Sequence, residues 1–370
     1  MSAEDDDPRS PEEKAVYAKV AEAKELDYGP ERITLAEEAV RMADAGGFER
    51  AAFDARLELV QAAVLGGYPE KGFVAFAWCA SKSKQDPERF RESKALGGLF
   101  LLGVDVLWTY KWMTLQVPWY PQITRAQMDE TLRDMEARYR AHNLSLRPVH
   151  MARVRCVIET GGDPEEAKDE FRKWQYARRD LYADCEACEI SFQSWYFAER
   201  GDAERAIHEA ARLLSGEKSC AEVPHNTYAR LLECALELDR PADAAKWHEL
   251  GYPMVQSNRD FVWNVSRHIA YLVRVGNLDK AQQLAERHLD WAVDNRVIDR
   301  RMWFYASLRD LFGALDGDVT FRLPSTLPPY DESGRYSAEA LRDYFDTETR
   351  AMAARFDARN GNEYVSRRVG

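Results

Sequence analysis

From Glu13 onward, apolar residues recur at three- and four-residue spacing almost without interruption, set among Ala, Leu, Glu and Arg. Strand-type runs of Val, Ile and Thr are scarce, so the pattern predicts an all-α chain. Turn residues divide it. Gly46-Gly47 and Gly66-Gly67 bound helices near 32–45, 49–65 and 69–82, and helices near 95–115 and 124–142 follow. Pro118 and Pro121 forbid a continuous helix between these last two, and Thr124 is placed to cap the second.

Further along, one turn form recurs: Gly162-Asp-Pro-Glu-Glu-Ala167, Gly201-Asp-Ala-Glu-Arg-Ala206, Asp239-Arg-Pro-Ala-Asp-Ala244 and Gly276-Asn-Leu-Asp-Lys-Ala281. The alanines lie 39, 38 and 37 residues apart. Such a period predicts stacked helix pairs, because one pair alone cannot bury its apolar face. The Gly, or Asp239 in its place, supplies the positive-φ residue that ends the first helix of each pair, and the Ala lets the second helix approach closely. Over roughly residues 146–315 the chain resembles the tetratricopeptide repeat family, whose Gly-x-x-x-x-Ala spacing these turns reproduce. Its small consensus residue seven before the turn is kept at Ser194 but replaced by Leu232 and Ile269. The resemblance implies a right-handed α-solenoid of helical hairpins and brings no functional residue with it.

The expected organisation is therefore a disordered acidic segment at 1–13, degenerate helical repeats at 14–145 and regular repeats at 146–317. An extended linker at 318–336, rich in proline, precedes a capping helix and a loose tail at 337–370. Lys and Arg total 51 against 63 Asp and Glu, a net charge of −12. An acidic surface without a basic, aromatic-interleaved run disfavours nucleic acid as a partner. The opening Met1-Ser-Ala-Glu-Asp-Asp-Asp lacks the features of a signal peptide, which points to the cytoplasm. The most apolar run, Ala95 to Trp108, contains Asp105 and three glycines and is too short to span a membrane.

Six cysteines in a reducing compartment read as thiols or metal ligands rather than disulfides. Cys79, Cys156 and Cys234 sit singly in apolar helical segments and read as small core residues. Cys185-Glu-Ala-Cys188 and Cys220-Ala-Glu-Val-Pro-His225 differ from these. Cys188 and His225 occupy nearly equivalent positions at the starts of successive first helices, which lie side by side in such a stack. Cys185, Cys188, Cys220 and His225 can then meet on one structural zinc ion, with Glu222 or Asp184 as alternatives to the imidazole. Asp184 is placed to cap one helix, and the positive helix ends favour thiolates. A redox dithiol is the competing reading, but it lacks the usual strand–helix setting.

Trp108, Lys111, Trp112, Trp119 and Tyr120 form an aromatic stretch that reads either as a patch for a peptide or as core and loop anchors. His248, His268 and His288 lie on predicted helices without convergent nucleophiles. Arg138, Arg140, Arg147, Arg153 and Arg155 form a basic stretch that reads either as a seat for a carboxylate or phosphate or, more simply, as solvated helix faces and ion pairs with Asp134 and Glu136. With no phosphate loop, nucleophile elbow or zinc-protease motif, no enzyme class gains support. The expected function is a non-enzymatic scaffold for a protein or peptide; the alternative is a regulator that responds to a small ligand or peptide, and the third reading is an enzyme of unknown class using the arginine and histidine positions.

Overall fold

The computed structural model describes residues 8–91, 104–220 and 222–370 and is almost wholly α-helical. Its contacts divide the chain into two compact units, one of residues 1–116 with 135–143 and one of 117–134 with 144–370. The expected helix start near residue 95 lies outside the described residues.

The first unit contains α1 (Pro11–Lys24), α2 (Pro30–Ala45), α3 (Glu49–Leu65), α4 (Pro69–Gln85) and α5 (Val106–Gln116). The first helix begins within the segment expected to be disordered, because Ser10 caps it by accepting from the Glu13 amide at 3.2 Å and Pro11 stands in its first turn. Neighbours pack in chain order, α1 on α2, α2 on α3 and α3 on α4. Buried alanines such as Ala36, Ala39, Ala51 and Ala55 permit that close approach. The buried Arg32–Glu58 pair, at 2.7 Å, ties α2 to α3.

Helix α6 (Arg125–Ala141) leads to the repeats, α7 (Arg147–Glu159) with α8 (Pro164–Tyr176), and α9 (Glu186–Glu199) with α10 (Ala203–Glu209) and the short α11 (Ala211–Leu214). Then come α12 (His225–Glu237) with α13 (Pro241–Val255), α14 (Val262–Arg274) with α15 (Leu278–Val293), and α16 (Ile298–Gly313). Each first helix packs on its second, and α9, α12, α14 and α16 pack in succession. Ala167, Ala206, Ala244 and Ala281 are all buried at the fourth position of a second helix. Positive φ falls on Gly201, Asp239 and Gly276 as expected. In the first repeat it falls on Gly161, not Gly162, because that turn is one residue longer before its Asp163 cap.

The predicted linker is a packed element instead. β1 (Asp318–Thr320) pairs antiparallel with β2 (Arg335–Ser337), and Phe321, Leu323 and Leu327 are buried. Its prolines stop a helix, but its apolar residues still find a core. Helix α17 (Ala338–Asn360) lies along α16, burying Leu341, Phe345, Met352 and Phe356. The tail expected to be loose turns at Gly361 into α18 (Tyr364–Val369), whose Val365 and Val369 are buried. No described helix is long and apolar enough to cross a membrane.

Candidate metal centre

The segment between α8 and α9 is fastened before it reaches its first cysteine. Arg147, at the start of α7, is buried. It donates to the carbonyls of Trp174 (2.6 Å) and Ala177 (3.0 Å) and grips both oxygens of Glu189 (2.7 and 2.9 Å). Arg179 adds bonds to Glu189 (2.6 Å) and to the Asp184 carbonyl (2.8 Å). Asp180 accepts from the amides of Ser145 and Tyr182 at 2.7 and 2.9 Å, and Tyr182 is fully buried. Thus Arg147, read from sequence as part of a solvated basic face, is an internal clasp. The same reading fits Arg140, which pairs with Glu136 at 2.6 Å on the surface.

Cys185 itself, not Asp184, is the N-cap of α9; its sulfur accepts from the Cys188 amide at 3.4 Å. Cys188 follows one turn later. Across the junction, the Cys220 amide donates to the Val223 carbonyl at 2.8 Å. The Sγ atoms of Cys188 and Cys220 are 3.3 Å apart, and those of Cys185, Cys188 and Cys220 all lie within 4.8 Å of one another. A disulfide needs about 2.0 Å. Thiolates at about 2.3 Å around one tetrahedral zinc stand roughly 3.8 Å apart, so the trio has the spacing of ligands rather than of a bond. Ala187, Ile190, Leu213 and Val223 form an apolar floor against Cys188 and Cys220, while Cys185 is exposed.

The electrostatics favour one anionic sulfur even without a cation. The Cys188 thiol donating to it, together with the amides of Glu222 and Val223, pulls the Cys220 thiol down to about 5 against the cost of burial. Cys188 is pushed up by that same hydrogen bond and by burial. Burial, with the charges of Asp260 and Cys220, raises the Glu222 carboxyl to about 7.

His225 is not in the group of mutually close donor atoms. It opens α12, and its ring stacks on Phe261 with centroids 5.4 Å apart and planes 8° apart. Its Nδ1 is buried without a hydrogen-bond partner among the described residues, and burial lowers its basicity. Cys79, Cys156 and Cys234 are buried single thiols, as expected.

The chain matches no protein-family model, no curated protein and no solved structure. Its chemistry is therefore read from its own residues.

The aromatic candidates divide between the two units. In the first, Lys111 is buried with its Nζ 3.6 Å from the Trp108 ring centroid, and Trp112 meets Trp108 edge-on at 6.5 Å. In the second, the Arg300 guanidinium lies over Trp119 at 5.1 Å, Tyr120 is buried, and Arg359 donates to the Pro118 and Tyr120 carbonyls. His268 and His288 are buried, while His248 is half-buried and lines a cleft; His248 and His268 share a hydrogen bond at 3.0 Å, and His288 pairs with the Tyr252 hydroxyl at 3.0 Å. A cleft of about 520 Å³ beside His248 is lined by Glu249, Tyr271 and Lys280.

Sequence reading passed over a second cluster. Glu159 and Glu199 each stand two residues before the positive-φ glycine of their turn, at the C-terminal ends of α7 and α9, where the helix dipole disfavours an anion. Arginines offset this. Glu199 pairs with Arg230 of α12 and with Arg368 of α18, the latter at 2.7 Å, and Arg155 lies 3.7 Å from Glu159. Asp299 of α16 feels the charges of Arg368 and Arg300. Burial still raises Glu159 to about 7 and Asp299 to about 6.

Proposed function

We propose that this chain is a non-enzymatic helical scaffold, a right-handed solenoid of tetratricopeptide-like hairpins that binds a protein or peptide partner in the cytoplasm. A structural zinc ion fixes the junction between its α9 and α12 repeats. The observation that carries the reading is the meeting of three sulfurs from two clusters, within 4.8 Å, across that junction. Residues that sequence separates by a whole hairpin are held together at metal-ligand spacing, which a scaffold built from repeats uses to lock one repeat on the next.

Cys185, Cys188 and Cys220 supply three soft donors. His225 is the proposed fourth, supported by its buried and unpartnered Nδ1; Glu222, drawn toward neutrality beside Cys220, is the competing donor. Four protein ligands close the site, which suits structure rather than catalysis. A preformed helical surface spends little entropy on ordering itself when it takes up a peptide.

Protein purified without chelator is expected to carry about one zinc per chain by elemental analysis and to melt at lower temperature once chelator is added. Substoichiometric zinc together with unchanged melting overturns the clasp. Affinity capture with the purified chain, followed by mass spectrometry, tests for the partner. A second reading, a ligand-responsive regulator, draws on the open cleft beside His248; a change in solution scattering on adding a ligand favours it over the passive scaffold.

A further inference from the structure

We propose that the space lined by Glu159, Glu199 and Asp299 is a guanidinium-recognition site for an arginine-bearing helical peptide, and that α18 occupies it as an internal ligand. The proposal rests on the scaffold reading above and names the chemistry of its partner.

The seat is built from elements far apart in the chain. Glu159, Glu199 and Asp299 come from α7, α9 and α16, and Arg155 and Arg230 come from α7 and α12. With α18 removed, Glu199 loses one of its two paired arginines, Arg368, and keeps Arg230. A second, separate feature marks the cation position as one for a guanidinium. Arg368 lies over the Trp303 ring at 5.5 Å and over Tyr364 at 5.3 Å while its Nη2 reaches Glu199 at 2.7 Å. A planar cation that stacks on two rings while one nitrogen pairs with a carboxylate suits this position where a lysine does not. Glu159 keeps one buried oxygen without a hydrogen-bond partner among the described residues, an acceptor still on offer.

The remaining contacts resemble those of a docked peptide. The Asn362 amide donates to the carbonyls of Thr160 (2.9 Å) and Gly161 (3.1 Å), Tyr364 packs against Gly161, and Arg309 donates to the Val369 carbonyl. Val365 and Val369 are buried at positions −3 and +1 from Arg368. Six helical residues are too few to hold a helix alone, so α18 takes its form from the surface it meets. Gly361, at φ +72°, and the Asp357 carboxylate, which accepts from the Val365 and Ser366 amides at 2.9 and 3.1 Å, set the turn from which it leaves α17. A segment seated by one arginine, two valines and a tyrosine can be replaced by another with the same pattern.

The test uses the full chain carrying Val365→Asp, Arg368→Ala and Val369→Asp, which ejects α18, and a labelled synthetic peptide of residues 360–370. By anisotropy the peptide is expected to bind the ejected chain at least tenfold more tightly than the unmodified chain, and Arg368→Ala in the peptide to cost at least tenfold. A natively helical ejected chain that ignores the peptide, or takes the alanine peptide equally well, overturns the proposal. If the ejected chain does not fold, Glu199→Gln in the otherwise unmodified chain decides: faster amide exchange confined to residues 362–369 supports the site, and unchanged exchange overturns it. A dimer of the unmodified chain that Arg368→Ala abolishes overturns the peptide reading in favour of exchange of α18 between copies. Should the titration fail while zinc content and chelator response are as expected, only the guanidinium site falls; should all three fail, the scaffold reading falls with it.

Discussion

Two clusters in the second unit gather residues from distant helices, and they solve the problem of buried charge differently. At the thiol cluster all three donors are of one kind, and one sulfur is held anionic by the amides and thiol around it. Such a group could bind a metal ion from outside the chain. At the carboxylate cluster the chain supplies its own cations, Arg155, Arg230 and Arg368. The first is a group of donors that could hold a metal ion, and the second is an ion network that also fixes the return of α18. Their difference teaches that convergence alone does not suit a cluster to a metal; soft donors without internal cations do.

The largest effect is expected at the thiols. Cys220→Ser removes a soft ligand and should abolish zinc retention in elemental analysis. Loss of structural metal should cost about 5 kcal/mol, a fall on the order of 10 °C in calorimetric melting. If Cys220→Ser keeps both metal and melting temperature, the contrast between the clusters is broken.

Next comes Glu199→Ala, which takes the partner from half-buried Arg230 and solvent-accessible Arg368 and should destabilise by roughly 1–3 kcal/mol in denaturant titration. A loss below about 1 kcal/mol would show that the arginines reach water without it.

A pH-dependent effect sharpens the point. Glu159 holds its proton up to about 7 in the fold against an ordinary value of 4.5. A raised carboxyl stabilises the fold fully below the unfolded value, and that contribution fades as pH rises from about 4.5 to 7. Glu159→Gln should therefore match its parent at pH 4.5 and exceed it by about 1–3 kcal/mol at pH 8. A constant difference across that range would count against the buried carboxyl. The smallest effect belongs to Arg140→Ala, which loses only an exposed pair with Glu136 and should change stability by less than about 0.5 kcal/mol.

Much of the architecture was legible because helical periodicity and turn chemistry are local. The alanines at the fourth position of each second helix, and the positive φ at Gly201, Asp239 and Gly276, follow from residues within one turn of one another. The thiols were legible because cysteine is scarce, so two clusters in neighbouring repeats stand out. His225 was placed by the same register, yet its ring stacks on Phe261, since side-chain direction at a helix start is not set by spacing. The carboxylate cluster was hidden for the opposite reason. Among 63 acidic and 51 basic residues, Glu159, Glu199, Asp299 and Arg368 carry no mark of their own. The hairpin at 318–337 was hidden because proline content reports what a segment cannot be, while burial of Phe321 and Leu323 depends on surfaces many residues away.

The clasp made by Arg147 bears on how quickly the proposed zinc would be captured. Cys185 and Cys220 close a loop of 35 residues, whose entropy is met by helix packing and by this one guanidinium rather than by the ion. The emptied protein should consequently keep its helical circular dichroism at room temperature, and uptake should proceed at the pace of ligand exchange with no refolding phase.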